Sequence, residues 1–187
     1  MNFHGRYVIL RAIEAEDLTL IQQWANDPFI QRQLGGWHFP TSMADQEAWL
    51  KELSCHSRDQ RFAVDLKGVG LIGTANIVSI DWKNRTAFHG MLLGRREHHQ
   101  KGLGRDTIMA IMRYAFDELG LEHLDSDIIE YNSASLKVYV DRCGWEIQGT
   151  KLDWYYRNGQ RWNKIIVGMS AVRYRTLIEN NQYWGGS

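Results

Sequence analysis

A glycine-containing segment in the middle of the chain constrains the fold more than any other feature. Residues 98–105 read His-His-Gln-Lys-Gly-Leu-Gly-Arg and follow an apolar run, Met91 to Leu93. After this segment, apolar residues recur with the three- and four-residue spacing of a helix that buries one face. They are Ile108, Ile111, Met112, Ala115, Phe116 and Leu119. The segment is therefore predicted to be a turn that joins a strand to an amphipathic helix.

Such a turn can bind a phosphate group. The first amide groups of a helix have no intrahelical partners, and they lie at the positive end of the helix dipole. Gly102 and Gly104 would let a ligand approach the backbone closely. No Gly-Lys-Ser/Thr follows the turn, and Thr107 stands where a dinucleotide motif has its third glycine, so neither common phosphate motif is complete. By itself the turn is also compatible with a purely structural start of a helix.

A second motif, downstream of the turn, narrows the choice. It consists of Asn132, Ser135, Tyr139, Gly144 and Trp145. Together with the glycine turn it resembles the Asn-x-x-Ser/Ala, Tyr and Gly-Phe pattern of the GNAT superfamily of acetyl-CoA-dependent N-acetyltransferases. The glycine motif of that family, Gln/Arg-x-x-Gly-x-Gly/Ala, is matched at residues 99–104, with His99 at its first position.

The resemblance extends over residues 6–170. It is closest to the branch that contains ribosomal-protein N-terminal and diamine acetyltransferases. Residues 9–18 resemble the first strand and helix of that branch, and Trp24-Ala25-Asn26-Asp27-Pro28 resembles the end of the first helix.

The fold implied by the resemblance is the α/β (α+β) GNAT fold, in a single domain over residues 1–187 with a core at 6–170 and a C-terminal tail at 171–187. This fold has a mixed, mostly antiparallel sheet of about seven strands, helices on both faces, and splayed fourth and fifth strands. The residue pattern predicts strands at 7–10, 61–66, 70–80, 86–93, 124–130, 146–157 and 161–170. It predicts helices at 17–26, at 43–53 after Ser42, beyond the glycine turn, and at 133–142. Asn158-Gly159 is predicted to be a hairpin turn, and residues 28–41, which hold both prolines, a mobile loop.

The resemblance also implies the acyl donor, acetyl-CoA, and no metal. Its pantetheine arm would lie in a wedge between the splayed strands, lined by residues 90–94 and 127–131, with a backbone amide near Leu92 binding the oxyanion. The positions implied to bind acetyl-CoA are Leu92, Leu93, Gly94, His99, Gln100, Lys101, Gly102, Leu103, Gly104, Arg105, Asn132 and Ser135. Arg95 and Arg96, together with Lys101 and Arg105, are predicted either to neutralise its phosphates or to form a solvated basic surface.

Two side chains are candidates for proton transfer. Tyr139 lies about two helical turns after Asn132, so both can face the wedge, and the family implies that it protonates the departing thiolate. Spacing alone favours a core tyrosine, which is the alternative. His89 occupies the strand position where many relatives carry a glutamate, and imidazole with an ordinary pKa would suit a base for the acceptor amine. The alternatives are a histidine hydrogen-bonded within the sheet, and a water relay through Glu130 or Asp127.

The acceptor amine is the least constrained part of the prediction. A protein N-terminus, a small amine such as a polyamine, and an amino sugar on a nucleotide carrier all fit, and a non-catalytic acetyl-CoA-binding module is the alternative from another class. The acceptor pocket is expected near Trp37 and His38 and near residues 154–156. Asn163 replaces an aspartate frequent in the branch, and the first helices carry few carboxylates beyond Glu14, Glu16 and Asp17.

Bulk properties agree with a cytoplasmic enzyme. The chain has 187 residues, 44% of them hydrophobic, with 22 basic and 22 acidic residues. One sizeable core and one domain are expected, and the balanced charge indicates neither a nucleic-acid nor a membrane partner. Cys55 and Cys143 are predicted to be free thiols, and the adjacent His98 and His99 lack the spacing of metal ligands. The expected partners are acetyl-CoA and an amine acceptor, with a homodimer left open.

Overall fold

The computed structural model describes residues 2–36, 39–54, 56–98 and 101–185. Within these residues eight strands form one sheet in the order β1-β2-β3-β4-β5-β6-β8-β7. The strands are β1 (Phe3–His4), β2 (Val8–Arg11), β3 (Gln60–Leu66), β4 (Gly70–Asp81), β5 (Thr86–Leu93), β6 (His123–Ile129), β7 (Glu146–Arg157) and β8 (Gln160–Ser170). The seven predicted strands are confirmed, and β1, too short to show a pattern, is added at the edge.

One pairing in the sheet differs from the others. Neighbouring strands are antiparallel except β5 and β6, which are parallel and pair only through Thr86 to Phe88 and His123 to Asp125. Beyond these residues the two strands diverge and leave a wedge. They are the predicted fourth and fifth strands, so the splay expected of the GNAT fold is confirmed.

Helices cover both faces of the sheet. They are α1 (Leu18–Ala25), α2 (Pro28–Gln33), α3 (Met43–Glu52), α4 (Leu103–Arg113), α5 (Ser133–Leu136) and α6 (Ala171–Asn181). The first three pack on one face around a small core that includes Trp24, Ala63 and Leu71. The last three pack on the other face around the main core, which includes Met109 and Trp145.

The helix after the glycine turn is the centre of the main core. Ile108, Ile111 and Met112 on α4 are fully buried, as their spacing predicts. A π-helical turn, Tyr114–Glu118, continues α4, and another, Lys137–Arg142, continues α5. π-Helical turns are rare overall, but those that occur inside helices are often found at functional sites. The extra residue of such a turn re-aims the side chains around it.

Two predictions about the connecting segments are wrong. Residues 28–41 are not all loop, because α2 begins at Pro28 behind Asp27, whose carboxylate accepts hydrogen bonds from the amides of Phe29 and Ile30. An aspartate cap followed by proline at the first position is a normal helix start. The C-terminal segment is also more than a tail, since α6 begins after the cap residue Ser170.

Other local predictions are confirmed. The Ser42 side chain accepts a hydrogen bond from the amide of Asp45 and so caps α3. Asn158 and Gly159 both have positive φ, as a tight hairpin turn requires. Cys143 is a free, buried thiol, while Cys55 lies outside the described residues. In the part of the chain that is described, no helix is long and apolar enough to cross a membrane.

Candidate active site

The wedge between β5 and β6 exposes backbone hydrogen-bonding groups. The pairing of the two strands ends at Phe88 and Asp125, so from His89 and Ser126 onward their facing edges no longer bond to each other. Buried backbone amides and carbonyls need partners. A ligand that carries amide groups can supply them by lying between the strands as an added strand does.

The direction of the amides in β5 refines one prediction. The amide of Gly90 donates to the side-chain oxygen of Asn76 on β4, and the amide of Gly94 donates to the carbonyl of Ile72 on β4. Because successive residues of a strand point their amides to opposite edges, Leu92 shares this direction and Met91 faces the wedge. The oxyanion contact expected at Leu92 therefore fits a neighbouring amide better.

The glycine turn lies at the mouth of the wedge. Gly102 has φ +80° and immediately precedes α4, so the turn uses a left-handed conformation that favours glycine. A Cβ atom at Gly104 would lie 3.4 Å from the Met91 side chain and 3.7 Å from those of Leu93 and Val138. Gly104 thus lets the start of α4 pack closely against β5 and the π-helical turn that follows α5. His99 and Gln100 lie outside the described residues, and Lys101 is exposed.

Two of the four cations expected at this turn have other partners. The Arg95 Nε donates to the carbonyl of Leu71 at 2.7 Å. Arg96 binds both carboxylate oxygens of Asp27, at 2.8 and 2.7 Å. These contacts fasten the segment after β5 to β4 and to the start of α2. These contacts leave other N–H donors on both guanidinium groups, so a role of Arg95 and Arg96 in neutralising the phosphates of acetyl-CoA stays a prediction.

Tyr139 lies at the apex of the wedge, on the π-helical turn after α5. It is buried, and its ring centroid is 5.8 Å from that of His89 and 5.0 Å from that of Trp145. Its hydroxyl neighbours Ser126, the first β6 residue past the paired segment. Burial raises the pKa of the phenol well above its ordinary value, while the hydrogen bond with Ser126 acts in the opposite direction. The phenol is therefore protonated at neutral pH, as a proton donor must be.

His89 shares the apex and is fully buried. Its Nδ1 lies 2.8 Å from the carbonyl oxygen of Asn76, so Nδ1 carries the proton and donates it. Nε2 then has a lone pair, and no partner among the described residues. Burial lowers the pKa of the imidazole to about 4. The expectation of titration near neutral pH is wrong, because charging the ring would remove an ion's hydration without providing a counter-charge.

The carboxylates that compete with His89 for the role of base are both engaged. The Lys164 ammonium lies 2.5 Å from an Asp127 oxygen. Glu130 accepts hydrogen bonds from the Asn163 backbone amide at 2.6 Å and from its side-chain amide at 3.0 Å. Asn163 also accepts from the amide of Asp153, so it holds β6, β7 and β8 together where the branch often has an aspartate.

Asn132 connects the two faces of the sheet. Its side-chain oxygen caps α5 by accepting from the amide of Ser135 at 3.1 Å, and its NH₂ group donates to the carbonyl of Gln33 at the end of α2. The hydroxyl of Tyr131 donates to the carbonyl of Arg32 beside it. These bonds fix one wall of the wedge. The predicted contact of Asn132 and Ser135 with acetyl-CoA stays a prediction.

A cavity of about 650 Å³ opens on the α1–α3 face, one strand away from the wedge. It is lined by Ile13, Ile21, Phe39, Pro40, Thr41, Asp45, Gln46, Trp49, Arg61, Thr74, Ala75 and Asn76. Sequence analysis missed most of these residues, because only the tertiary fold brings four distant segments together. Trp37 and His38 lie outside the described residues. Residues 154–156 do not line this cavity, and their expected role in an acceptor pocket stays a prediction.

The described residues contain no group of three or more His, Cys, Asp or Glu side chains placed to bind a metal ion. The candidate site residues that the structure brings together are the glycine turn, the free edge of β5, Tyr139 and His89. Ser126 joins them without having been predicted. A lone serine in an alternating strand carries no signal that could have identified it.

A comparison with protein families identifies the domain. The model of the acetyltransferase (GNAT) domain matches residues 8–146, which include both walls of the wedge, the glycine turn and Tyr139. The chain belongs to the GNAT acetyltransferase family. As a member of this family, it is an N-acetyltransferase.

Individual relatives of this acetyltransferase are distant. The SPbeta prophage-derived uncharacterized N-acetyltransferase YokL of Bacillus subtilis (strain 168) is 24% identical over 170 residues, which cover 91% of this chain and 93% of that protein. Spermidine N-acetyltransferase from Vibrio cholerae, solved in complex with CoA and spermine, superposes with a TM-score of 0.83 at 22% identity, over 90% of this chain and 98% of that one. An acetyltransferase (GNAT family) from Bacillus anthracis superposes with a TM-score of 0.77 at 16% identity, over 92% and 99% of the two chains. These structures share the fold.

Proposed function

We propose that this acetyltransferase transfers the acetyl group of acetyl-CoA directly to a primary amine while both substrates are bound. The observation that carries the proposal is the position of Tyr139, a protonated and buried phenol at the apex of a wedge whose mouth is a helix N-terminus. The wedge suits a long donor with a phosphate group at one end and a thioester at the other.

The donor's phosphates would bind at the glycine turn. The amides of Leu103, Gly104 and Arg105 form the first turn of α4, where they lack intrahelical acceptors and favour an anion. His99, Gln100 and Lys101 would complete the turn. The positive φ of Gly102 supports this, since a turn that exposes amides in this way is difficult to form with other residues.

The amide-containing arm of the donor would lie between β5 and β6. It would bond to the free edge of β5 from Met91 to Gly94, with Asn132 and Ser135 on the other wall. A wedge-facing amide beside Leu92 would bind the oxyanion of the tetrahedral intermediate. Fixed amides stabilise such charge well because they need no reorganisation during the reaction.

The reaction breaks the thioester C–S bond and forms a C–N bond. The attacking nitrogen loses a proton, and the departing thiolate gains one. Tyr139 is the proposed donor to the thiolate, because its hydroxyl lies at the closed end of the wedge. Proton donation at this point lowers the barrier by stabilising the leaving group.

The proton of the amine needs an acceptor as well. His89 is the proposed base, since Nε2 is neutral at physiological pH and has no other partner among the described residues. Its low pKa makes it a weak base. Water in contact with Asp127 or Glu130 is the competing route, although both carboxylates already accept hydrogen bonds.

Release of thiol from acetyl-CoA in the presence of an amine panel tests the proposal. The panel contains polyamines, peptides with free N-termini and amino sugars. Acetylation of at least one class, with the product confirmed by mass spectrometry, is expected. Binding of acetyl-CoA without turnover of any of these amines would contradict the proposal and indicate a binding module.

A further inference from the structure

The cavity on the α1–α3 face has a chemistry that indicates which amine reacts. Resting on the proposed function, we propose that this cavity binds the acceptor and selects one that carries a carboxylate at the end remote from its reacting amine. Arg61 is the cation that would bind this carboxylate.

The position of the cavity fits an acceptor site. Thr74 and Asn76 on β4 line it, and they pair with Leu92 and Gly90 on β5, the strand that forms the wedge. Adjacent strands are about 5 Å apart. An acceptor in the cavity can therefore reach the wedge with its amine across a single strand.

Arg61 lies at the far side of the cavity from the wedge. It pairs with Asn76 across β3 and β4, so its Cα is two strand spacings, about 10 Å, from Gly90. This separation favours an acceptor whose anionic group and reacting amine are joined by a short chain over an α-amino acid, whose carboxylate is next to its amine.

The charges that line the cavity disfavour a polyamine. Asp45 is the one carboxylate among the described lining residues, and it already accepts hydrogen bonds from the Ser42 amide at 2.8 Å and the Ser42 hydroxyl at 2.6 Å. The Asp45 carboxylate is thus already used to stabilise the start of α3. A second ammonium group on the acceptor would be repelled by the guanidinium of Arg61, and no carboxylate in the described lining is free to pair with it.

Arg61 retains the capacity to bind an anion. Its ion pair with Asp59 is a single contact of 3.5 Å, between side chains that are 33% and 44% exposed. Such exposed pairs contribute little to stability, and a guanidinium group has further N–H donors. A carboxylate bound in the cavity could engage two of these donors at once.

The remaining walls suit an aliphatic or aromatic spacer. Ile21, Phe39 and Trp49 provide apolar surface in the lining of the cavity. The buried Gln46 and the side chain of Thr74 add polar groups beside it. The lining therefore matches an amine, an apolar spacer and a distal carboxylate, in that order.

Three acceptors of equal chain length separate the possibilities: 6-aminohexanoate, hexylamine and 1,6-diaminohexane. We expect kcat/KM to be highest for 6-aminohexanoate, about tenfold or more above the diamine, since a charged hydrogen-bonded pair is gained. Arg61→Gln should bring the ratio of kcat/KM for 6-aminohexanoate to that for 1,6-diaminohexane close to one. Arg61→Lys should restore part of this preference. Arg58→Gln is the matched control, because Arg58 is exposed in the same segment and does not line the cavity.

Calorimetry with 6-aminohexanoate and the protein saturated with CoA tests the cavity without turnover. Binding that is weakened in Arg61→Gln and retained in Arg58→Gln is expected. A preference for 1,6-diaminohexane that Arg61→Gln leaves unchanged would overturn this inference and leave the proposed function intact. If the three amines bind but no amine of any class is acetylated, the proposed function fails instead.

Discussion

The hydroxyl of Tyr183 donates a hydrogen bond to the carboxylate of Asp106 across 2.8 Å. Asp106 is fully buried in the first turns of α4, and it also accepts from the backbone amides of Arg6, Tyr7 and Val8. One carboxylate thus joins both ends of the chain to the helix that starts at the glycine turn.

The bond to Tyr183 predicts a measurable loss of stability. Tyr183→Phe removes one donor from a buried carboxylate, which should lower the free energy of unfolding by about 1–3 kcal/mol. Tyr156→Phe is the control, since Tyr156 is exposed. Urea denaturation of both variants measures the difference, and equal midpoints would refute a structural role for the bond.

Removing the whole Tyr183 ring should also affect the donor site. The guanidinium of Arg105, at the glycine turn, lies 4.9 Å from the ring centroid, and that of Arg6 lies 4.2 Å from it. We expect Tyr183→Ala to weaken CoA binding more than Tyr183→Phe does, because only alanine removes the surface that supports Arg105. Calorimetric titration of the two variants with CoA checks this order.

The glycine turn predicts a specific loss of CoA affinity. Gly102→Val places a β-branched side chain at φ +80°, which distorts the turn that presents the amides. Gly68→Val is a matched control, since Gly68 has φ +79° in the β3–β4 turn, and a Cβ atom at either glycine would have no neighbouring atom within 4 Å. Both variants should lose comparable stability, while only Gly102→Val should bind CoA weakly. Equal affinities would disprove the phosphate assignment.

Tyr139 is expected to act in the chemical step. Tyr139→Phe keeps the buried ring and removes the hydroxyl, so kcat should fall by about 100-fold or more if proton donation contributes at its usual scale. The KM for acetyl-CoA should change little. Tyr174→Phe is the control, because Tyr174 is equally buried in the same core and its hydroxyl contacts Trp184 and Asp117 away from the wedge. An unchanged kcat in Tyr139→Phe would make Tyr139 a core residue.

The buried His89 makes stability depend on pH. Its pKa is about 4 in the folded protein against an ordinary value of 6.5, so between these values the unfolded chain binds a proton that the folded one does not. Stability should therefore fall as pH decreases through this window, by about 3 kcal/mol in total. His89→Gln should flatten this part of the profile. Chemical denaturation at several pH values measures it.

The same pKa shifts the expected rate profile. If His89 is the base, kcat/KM should rise with pH around the pKa of His89, about 4. The profile should then show no ionisation with a pKa near 6.5. His89→Gln should then lower the rate at neutral pH with little change in CoA affinity. If His89→Gln leaves the rate at neutral pH unchanged, the proton of the amine is instead accepted by water in contact with Asp127 or Glu130.

Local patterns in the sequence predicted most of the fold. The alternation in β5, the helical spacing after Gly104 and the Asn158-Gly159 turn each depend on residues close in sequence, and each was confirmed. The glycine turn and Tyr139 could be selected as candidate site residues because their motifs are compact. Helix α2 was missed because the two prolines and the Gly-Gly pair of its segment outweighed the cap at Asp27.

Features that depend on distant residues could not be predicted in this way. The pKa of His89 is low because the ring is fully buried, and no local pattern records that burial. The partners of Asp106 come from both ends of the chain. The cavity proposed to bind the acceptor combines side chains from α1, α3, β3 and β4, and the role proposed for Arg61 appears only once these elements are packed.

The short pairing of β5 with β6 also shapes how the protein folds. Strands β1 to β5 each pair with the next strand in the sequence, and β6 to β8 form a second group. The parallel pairing of β5 with β6 joins the two groups, and it requires a crossover through α4. Such a contact forms slowly, since the entropy of closing the crossover is lost before many bonds are gained. The two halves of the sheet are consequently joined by few backbone bonds and by the helices that pack across them. A donor that bonds to both edges of the wedge would serve as the strand missing between the halves, and its binding would raise the stability of the whole domain by mass action.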